Sequence, residues 1–333
     1  MANNLLLQIP LFAASLFFLM KGADWLIDGA STLARRFRIP ELIIGLTLVA
    51  LGTSLPELVV SVIASINDQP ELAWANVIGS NITNILLVIG ITCILQPLRA
   101  PANLITKDAP FSLILVLSFG AWLLWCALSP GSGLPPGAVA TYDRVGGIGL
   151  LTFFLLFVIR LFLTERSENT EENDDPGKTW QLFLLLAGGT IALGFGGQYT
   201  VASAINIARI MGVSETTIGL TIVAFGTSLP ELVASLVAAR KGSADIALGN
   251  IVGSNIMNLT LVLGFTSTFS PVYLETYDLV DGAVMIVVSV VFFSLMFRKV
   301  DRHFRSMTGL VFFISWVLYM FWIALRATEG GQV

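Results

Sequence analysis

The feature that most constrains this 333-residue chain is an internal repeat that contains the same hexapeptide twice. Residues 45–90 align with residues 219–264 without a gap, 174 positions apart, and 25 of the 46 aligned pairs are identical. Residues 52–57 and 226–231 both read GTSLPE, and a GSN segment follows each of them. A repeat of this length indicates two structurally equivalent halves, so the fold has to bring two copies of one unit into a common core.

The sequence around the repeat is too apolar for a water-soluble domain. Hydrophobic residues make up 55% of the chain and charged residues only 12%, with a mean hydropathy of +0.84, whereas soluble domains carry about 25% charge. Apolar runs long enough to cross a bilayer as helices recur from end to end. We therefore predict an all-α polytopic membrane protein with ten transmembrane helices. The predicted spans are residues 5–30, 40–66, 71–96, 109–128, 145–164, 180–207, 215–239, 245–269, 277–297 and 306–326.

The ten spans divide equally between the two copies of the repeat. We predict an N-terminal five-helix repeat at residues 1–164, an acidic cytoplasmic linker at 165–178 and a C-terminal five-helix repeat at 179–333. Fourteen of the 18 Lys and Arg residues lie in the connections after spans 1, 3, 5, 7 and 9, which places those connections in the cytoplasm and both termini outside. Because five is an odd number, the two halves have inverted topology, as is typical of secondary transporters.

Two glutamates lie within predicted transmembrane helices. Glu57 and Glu231 end the two hexapeptides in spans 2 and 7, where a charged side chain costs about 2.5–3.5 kcal/mol on insertion scales. No Lys or Arg lies deep in spans 2, 3, 7 or 8 to pair with them. A bound cation is the simplest partner, and two carboxylates would balance one divalent ion. The alternative is that each glutamate is protonated and hydrogen-bonded at a helix interface.

The prolines before these glutamates predict a break in each helix. Pro56 and Pro230 each remove a backbone N–H and clash with the carbonyl four residues back, and the freed carbonyls are tolerated where they line a cavity. An ordinary kink is the alternative. The candidate ligands in spans 2 and 7 are Glu57, Glu231, Thr53, Ser54, Thr227 and Ser228, with the backbone carbonyls of Ala50, Thr53, Ala224 and Thr227.

Spans 3 and 8 provide a second polar wall. Asn76, Ser80 and Asn84 follow one another at four-residue spacing, and Asn250, Ser254 and Asn258 repeat the pattern. We take Ser80, Asn84, Ser254 and Asn258 as candidate ligands, with interhelical hydrogen bonding as the alternative. All of these donors are oxygens, which suits Ca²⁺ or Na⁺, whereas Mg²⁺ dehydrates reluctantly and softer metals call for His or Cys.

Together these residues resemble the α-repeats of the cation/Ca²⁺ exchanger superfamily, in particular its bacterial sodium/calcium antiporters. Both GTSLPE segments and both GSN segments carry the resemblance, which covers nearly the whole chain. It implies a central site between helices 2, 3, 7 and 8, with Glu57 and Glu231 as the main ligands, and first helices of each half that slide past the core. Many family members have Asp where this chain has Asn258, so the stoichiometry and any K⁺ dependence stay open.

The expected function is secondary active exchange of Na⁺ for Ca²⁺ across the bacterial inner membrane, rather than an enzymatic activity. The expected partners are membrane lipid and the two ions, with no cofactor, no nucleic acid and no obligate protein partner. An H⁺/Ca²⁺ antiporter of the same fold is the main alternative, although that branch carries a further acidic residue where the helix 3 and 8 motifs here have amides. A passive cation channel is the other alternative, and inverted repeats argue against it.

Overall fold

The computed structural model describes residues 5–129, 134, 136–164, 179–212, 218, 226–297 and 303–330. The chain is mostly helical, and the predicted polytopic helical architecture is confirmed. The helices are α1 (Leu5–Phe37), α2 (Glu41–Ile66), α3 (Pro70–Leu95), α4 (Leu104–Leu128), α5 (Arg144–Thr164), α6 (Thr179–Ile210), α7 (Leu229–Arg240), α8 (Ala244–Phe269), α9 (Thr276–Met296) and α10 (Ser306–Gly330).

Within the described residues, nine of these helices are long and apolar enough to cross a membrane, and the exception is α7. The predicted seventh span begins at residue 215, so much of its first half lies outside the described residues. The predicted linker, 165–178, lies outside them entirely. Helices α1 and α6 continue past their predicted ends, to Phe37 and Ile210, and α4 begins at Leu104 rather than near residue 109.

Two short antiparallel ribbons mark the two faces of the helical bundle. Strand β1 (Leu98–Arg99), after α3, pairs with β4 (His303–Phe304), after α9. Strand β2 (Ala140–Tyr142), before α5, pairs with β3 (Val272–Leu274), after α8. The connections after α3 and α9 therefore meet at one ribbon, and those after α4 and α8 meet at the other, as successive crossings of a membrane require.

An ion pair recurs at opposite faces in the two halves. Asp108, at the start of α4, accepts a 2.7 Å hydrogen bond from Arg160 on α5. On the equivalent helices of the second half, Asp281 of α9 is held by Arg326 of α10 at 3.0 and 3.2 Å. Helix α4 begins on the β1–β4 face and α9 on the β2–β3 face, so the two pairs are inverted with respect to each other, as the repeat predicts.

Helices α1 and α6 pack against each other through glycines. A Cβ added to Gly189 of α6 would lie 2.6 Å from the backbone nitrogen of Leu26 on α1, so the two backbones are almost in contact. The same part of α1 is also tied to the α7–α8 connection, where Lys241 lies 3.2 Å from Asp24 and 2.8 Å from Asp28. Asp24 also pairs with Lys21 at 3.7 Å within α1.

Candidate cation site

Helices α3 and α8 form the centre of the bundle. In their most apolar windows, 83% and 89% of the residues are buried, against 33% or less in α1, α4, α5, α6, α9 and α10. Helix α8 comes very close to α2, because a Cβ added to Gly253 would lie 2.5 Å from the Leu46 carbonyl and 2.8 Å from the Ala50 Cβ. This close approach places the polar residues of α8 directly beside the first hexapeptide on α2.

The two glutamates lie in this centre with no exposed surface at all. Both carboxylate oxygens of Glu57 lack a hydrogen-bond partner, as does Oε2 of Glu231. Oε1 of Glu231 accepts a hydrogen bond from Ser54 of the other repeat at 3.2 Å. Among the described residues no Lys or Arg forms an ion pair with either one, so the charge is not balanced by a described side chain.

Further buried oxygens without hydrogen-bond partners belong to the predicted ligands. Asn84 donates its amide to Asn255 Oδ1 at 3.0 Å, which leaves its own Oδ1 unpartnered. Asn258 has no partner for either amide atom, and neither has the Ser228 hydroxyl. An unsatisfied buried polar group costs about 1–3 kcal/mol. A cation coordinated by such oxygens would offset that cost, so the donor set fits an oxygen-liganded ion.

Hydroxyl pairs connect the two repeats across the centre. Thr53 Oγ1 lies 3.2 Å from Ser254 Oγ, and the equivalent pair, Thr227 and Ser80, lies 3.4 Å apart. Both pairs join the α2 or α7 hexapeptide of one half to the GSN helix of the other half. The structure thus brings hydroxyl ligands predicted from separate segments into two matched contacts.

A reciprocal asparagine pair lies between α3 and α8. Asn81 donates to the backbone carbonyl of Asn255 at 3.3 Å, and Asn255 donates to that of Asn81 at 3.4 Å. For Asn81 and Asn255 the sequence favoured interhelical hydrogen bonding over a ligand role, and these two bonds confirm it. Their equivalence in an inverted repeat explains the reciprocity, because equivalent residues on the central helices can meet at a pseudo-twofold axis.

The predicted helix break is present in one repeat and absent in the other. Around Pro230 the backbone makes a turn at Thr227 and Ser228, and α7 starts at Leu229. Around Pro56 the prediction is wrong, because an unbroken α-helical segment runs from residue 50 to residue 66. One missing N–H leaves a single carbonyl without its helical donor, which packed transmembrane helices tolerate.

Two of the four backbone carbonyls predicted around the prolines, those of Ala50 and Ala224, have different outcomes. The Ala50 carbonyl is within the α2 helix and lies 3.2 Å from the Thr53 hydroxyl. Ala224 lies outside the described residues. Whether either carbonyl contacts an ion stays a prediction.

Another feature that was not predicted from the sequence is a π turn at each asparagine ligand. The segments Asn84–Ile89 of α3 and Asn258–Leu263 of α8 are π-helical and occupy equivalent positions of the repeat. A π turn widens the helix by one residue, and such turns occur frequently at functional sites. Both turns begin at a candidate ligand.

Comparison with known proteins gives consistent matches over the whole chain. The family model described as sodium/calcium exchanger protein matches residues 7–163 and 181–325. The inner membrane protein YrbG of Escherichia coli (strain K12) is 33% identical over 332 residues, which cover 96% of this chain and 98% of YrbG. The sodium/calcium exchanger MaX1 of Methanosarcina acetivorans is 32% identical over 341 residues, covering 92% and 97%. A solved structure of the sodium-calcium exchanger NCX_Mj superposes with a TM-score of 0.75 at 30% identity, covering 97% of this chain and 99% of that one.

Proposed function

The chain belongs to the sodium/calcium exchanger family, and we propose that it exchanges Na⁺ for Ca²⁺ across the bacterial inner membrane at the central site described above. Membership makes it an integral membrane protein and a cation/Ca²⁺ antiporter. The choice of ions, the ligands and the mechanism are the content of the proposal. The similarity to a relative described as a sodium/calcium exchanger supports Na⁺ as the coupling ion.

One observation carries the proposal: two fully buried carboxylates come from equivalent positions of the repeat and lack a cationic side-chain partner among the described residues. Two negative charges balance one Ca²⁺, and Na⁺ accepts the same irregular oxygen cage. The same carboxylates cannot serve both ions at once. Mutual exclusion at a shared site therefore couples the entry of one ion to the exit of the other.

We assign the ligand roles by chemistry. Glu57 and Glu231 neutralise the ion, and neutral oxygens complete its shell. The proposed neutral ligands are the side chains of Thr53, Ser54, Thr227, Ser228, Ser80, Asn84, Ser254 and Asn258, with the backbone carbonyls of Ala50 and Ala224.

The inverted halves support transport by alternating access. The proposed units are residues 1–164 and 179–333, joined by a cytoplasmic linker at 165–178, with both termini outside. Inverted repeats give the two halves equivalent but oppositely directed surfaces, so a central site can open to either face in turn. A passive channel needs a path that is open to both faces at the same time, and both glutamates are fully buried.

An H⁺/Ca²⁺ antiporter is the second candidate, because buried carboxylates can also bind protons. The amide side chains of Asn84 and Asn258 favour Na⁺ over H⁺ as the counter-ion, since an amide offers a permanent oxygen ligand but does not take up a proton at neutral pH. The two candidates differ in which gradient drives Ca²⁺ movement.

The test of the site is the removal of one charge at a time. Glu57→Gln and Glu231→Gln keep the size and one oxygen of the side chain, but leave a divalent ion half neutralised. Charge interactions at an effective dielectric constant near 20 amount to about 4 kcal/mol at contact distance, so a loss of about 3 kcal/mol would weaken Ca²⁺ binding more than about a hundredfold.

The measurement is ⁴⁵Ca²⁺ uptake by proteoliposomes, with correct insertion checked for each variant. Glu71→Gln, at an exposed position at the start of α3, is the matched control and should transport normally. If Glu231→Gln protein exchanges Ca²⁺ at the wild-type rate, the proposed site is wrong.

A further inference from the structure

Two asparagines outside the proposed ligand set contact the site from equivalent positions. Asn76 of α3 donates its amide to Ser61 of α2 at 3.0 Å, and Asn250 of α8 donates to Ser235 of α7 at 2.9 Å. Ser61 and Ser235 have no exposed surface. Each asparagine is therefore fixed to the glutamate-bearing helix of its own repeat by the same hydrogen bond.

Beyond that shared bond, the two asparagines differ. The Oδ1 atom of Asn250 accepts a hydrogen bond from Thr53 of the opposite repeat at 3.1 Å. The structure has no corresponding bond between Asn76 and Thr227, both of which are described. The amide nitrogen of Asn76, which carries two N–H groups, donates a second hydrogen bond to the backbone carbonyl of Glu57 at 3.3 Å.

The backbones carry the same asymmetry. Thr53, whose hydroxyl is held, lies in a continuous helix, whereas Thr227 lies in a turn just before α7. The Thr53 hydroxyl lies 3.2 Å from its serine partner in the other repeat and the Thr227 hydroxyl lies 3.4 Å from its own. In one half of the site the threonine is hydrogen-bonded to the asparagine of the other repeat, which we call engaged. In the other half this bond is absent, and we call that asparagine released.

Because the residues concerned are identical in the two repeats, this difference is one of conformation and not of sequence. When a transporter with inverted repeats opens to the opposite face, each half takes up the conformation that the other half had before. We propose that Asn250 and Asn76 are positioning residues that hold Thr53 and Thr227 alternately, one in each access state.

The chemistry of the exchange follows from the hydrogen bonds. The oxygen of an engaged asparagine accepts a hydrogen bond from the threonine hydroxyl, so the threonine oxygen keeps its lone pairs for a neighbouring hydroxyl or for the ion. In a released asparagine this bond is absent, and the amide nitrogen donates to the backbone carbonyl of a glutamate ligand. This inference rests on the proposed function, because it requires two access states of one site.

Asn→Asp variants separate the two roles, because a carboxylate keeps the oxygen that accepts from threonine but has no N–H to donate to the glutamate carbonyl. The bond to Ser61 or Ser235 can be kept with its direction reversed, because a serine hydroxyl can donate to the carboxylate. Asn250→Asp should stabilise the state observed here, and Asn76→Asp should stabilise the opposite state. The readout is the Ca²⁺ concentration for half-maximal transport, measured at each face in right-side-out and in inside-out vesicles. The extra charge changes binding at both faces alike, so the ratio between the two faces reports only the access equilibrium.

We expect the ratio to shift about tenfold in opposite directions for the two variants, equivalent to about 1.4 kcal/mol. Asn67→Asp, an exposed substitution at the end of α2, is the control and should leave the ratio unchanged at physiological ionic strength. A shift in the same direction for both asparagines, or no shift for either, would overturn the proposal.

A second measurement does not need transport. In protein lacking Cys93 and Cys126, the cysteine pairs Thr53→Cys with Asn250→Cys and Thr227→Cys with Asn76→Cys should both form disulfides under mild oxidation. Ionic conditions that increase the yield of one cross-link should decrease the yield of the other. Cross-linking of the first pair alone would refute the alternation while leaving the proposed function intact.

Discussion

Introduction of a third carboxylate at Asn258 tests whether this residue faces the ion. Asn258 is fully buried at the first position of the π turn in α8, and neither amide atom has a hydrogen-bond partner. The variant Asn258→Asp has almost the same shape. If Asn258 faces the ion, the variant adds a third negative charge to the two glutamate carboxylates of the site.

The magnitude follows from Coulomb's law in a partly dehydrated site. At an effective dielectric constant near 20, two unit charges about 6 Å apart interact by about 3 kcal/mol, and a divalent cation doubles this for its attraction to the new carboxylate. The repulsion makes the ion-free site bind a proton more readily, while the attraction favours Ca²⁺ once the proton has left. We therefore expect Ca²⁺ to bind at least about tenfold more tightly at alkaline pH, and transport to fall steeply as the pH is lowered.

The assay is ⁴⁵Ca²⁺ uptake by proteoliposomes at a series of pH values and Na⁺ and K⁺ concentrations, with Asn67→Asp as the control for an added charge outside the site. If half-saturation, ion dependence and pH profile all equal those of the wild type, Asn258 does not contact the ion. The reasoning that places it among the ligands would then be refuted.

Three further predictions concern the topology, the stability and the turnover of the protein. A cysteine at Glu172, in protein lacking the native cysteines, should react with an impermeant reagent only from the cytoplasmic side, and labelling from outside in intact cells would overturn the inverted topology. Arg326→Met should lower the free energy of unfolding by about 1.5–3 kcal/mol, because Asp281 loses two charged hydrogen bonds. An unchanged melting temperature in detergent would contradict this. Lys241→Gln should change turnover less than about thirtyfold, because the two exposed ion pairs to α1 contribute about 0.2–1 kcal/mol each. Although partial burial acts against the charged form, the hydrogen bonds and charges of its aspartate partners raise the pKa of Lys241. The Lys241 effect should therefore be the same throughout the neutral pH range, and a pH-dependent effect there would count against the ion pairs.

The architecture could be predicted from the sequence because the repeat and the apolar periodicity act together. A 174-residue offset fixes which segments are equivalent, and five spans in each half fix the inversion. The burial of Glu57 and Glu231 followed from their position inside apolar runs, and both are fully buried in the structure. These properties depend only on the local composition and on the number of apolar spans, and both can be read directly from the sequence.

The finer geometry depends on how the helices rotate and cross, which the sequence does not determine locally. Pro56 and Pro230 occur in identical hexapeptides, yet only the helix around Pro230 is broken. Asn76 and Asn250 are likewise equivalent residues of the repeat, in similar but not identical segments, and they form different hydrogen bonds. Because identical residues adopt two conformations, no local rule could have predicted both of them.

The measurement that tests the central claim most directly is Ca²⁺ uptake into proteoliposomes under imposed ion gradients. We predict that ⁴⁵Ca²⁺ uptake accelerates when Na⁺ is loaded inside, that Na⁺ added outside inhibits it, and that replacement of internal Na⁺ by an impermeant cation abolishes it. Parallel loading with K⁺ or with protons identifies any other counter-ion. Uptake that proceeds equally without internal Na⁺, or that follows the proton gradient alone, would contradict Na⁺/Ca²⁺ exchange by this protein.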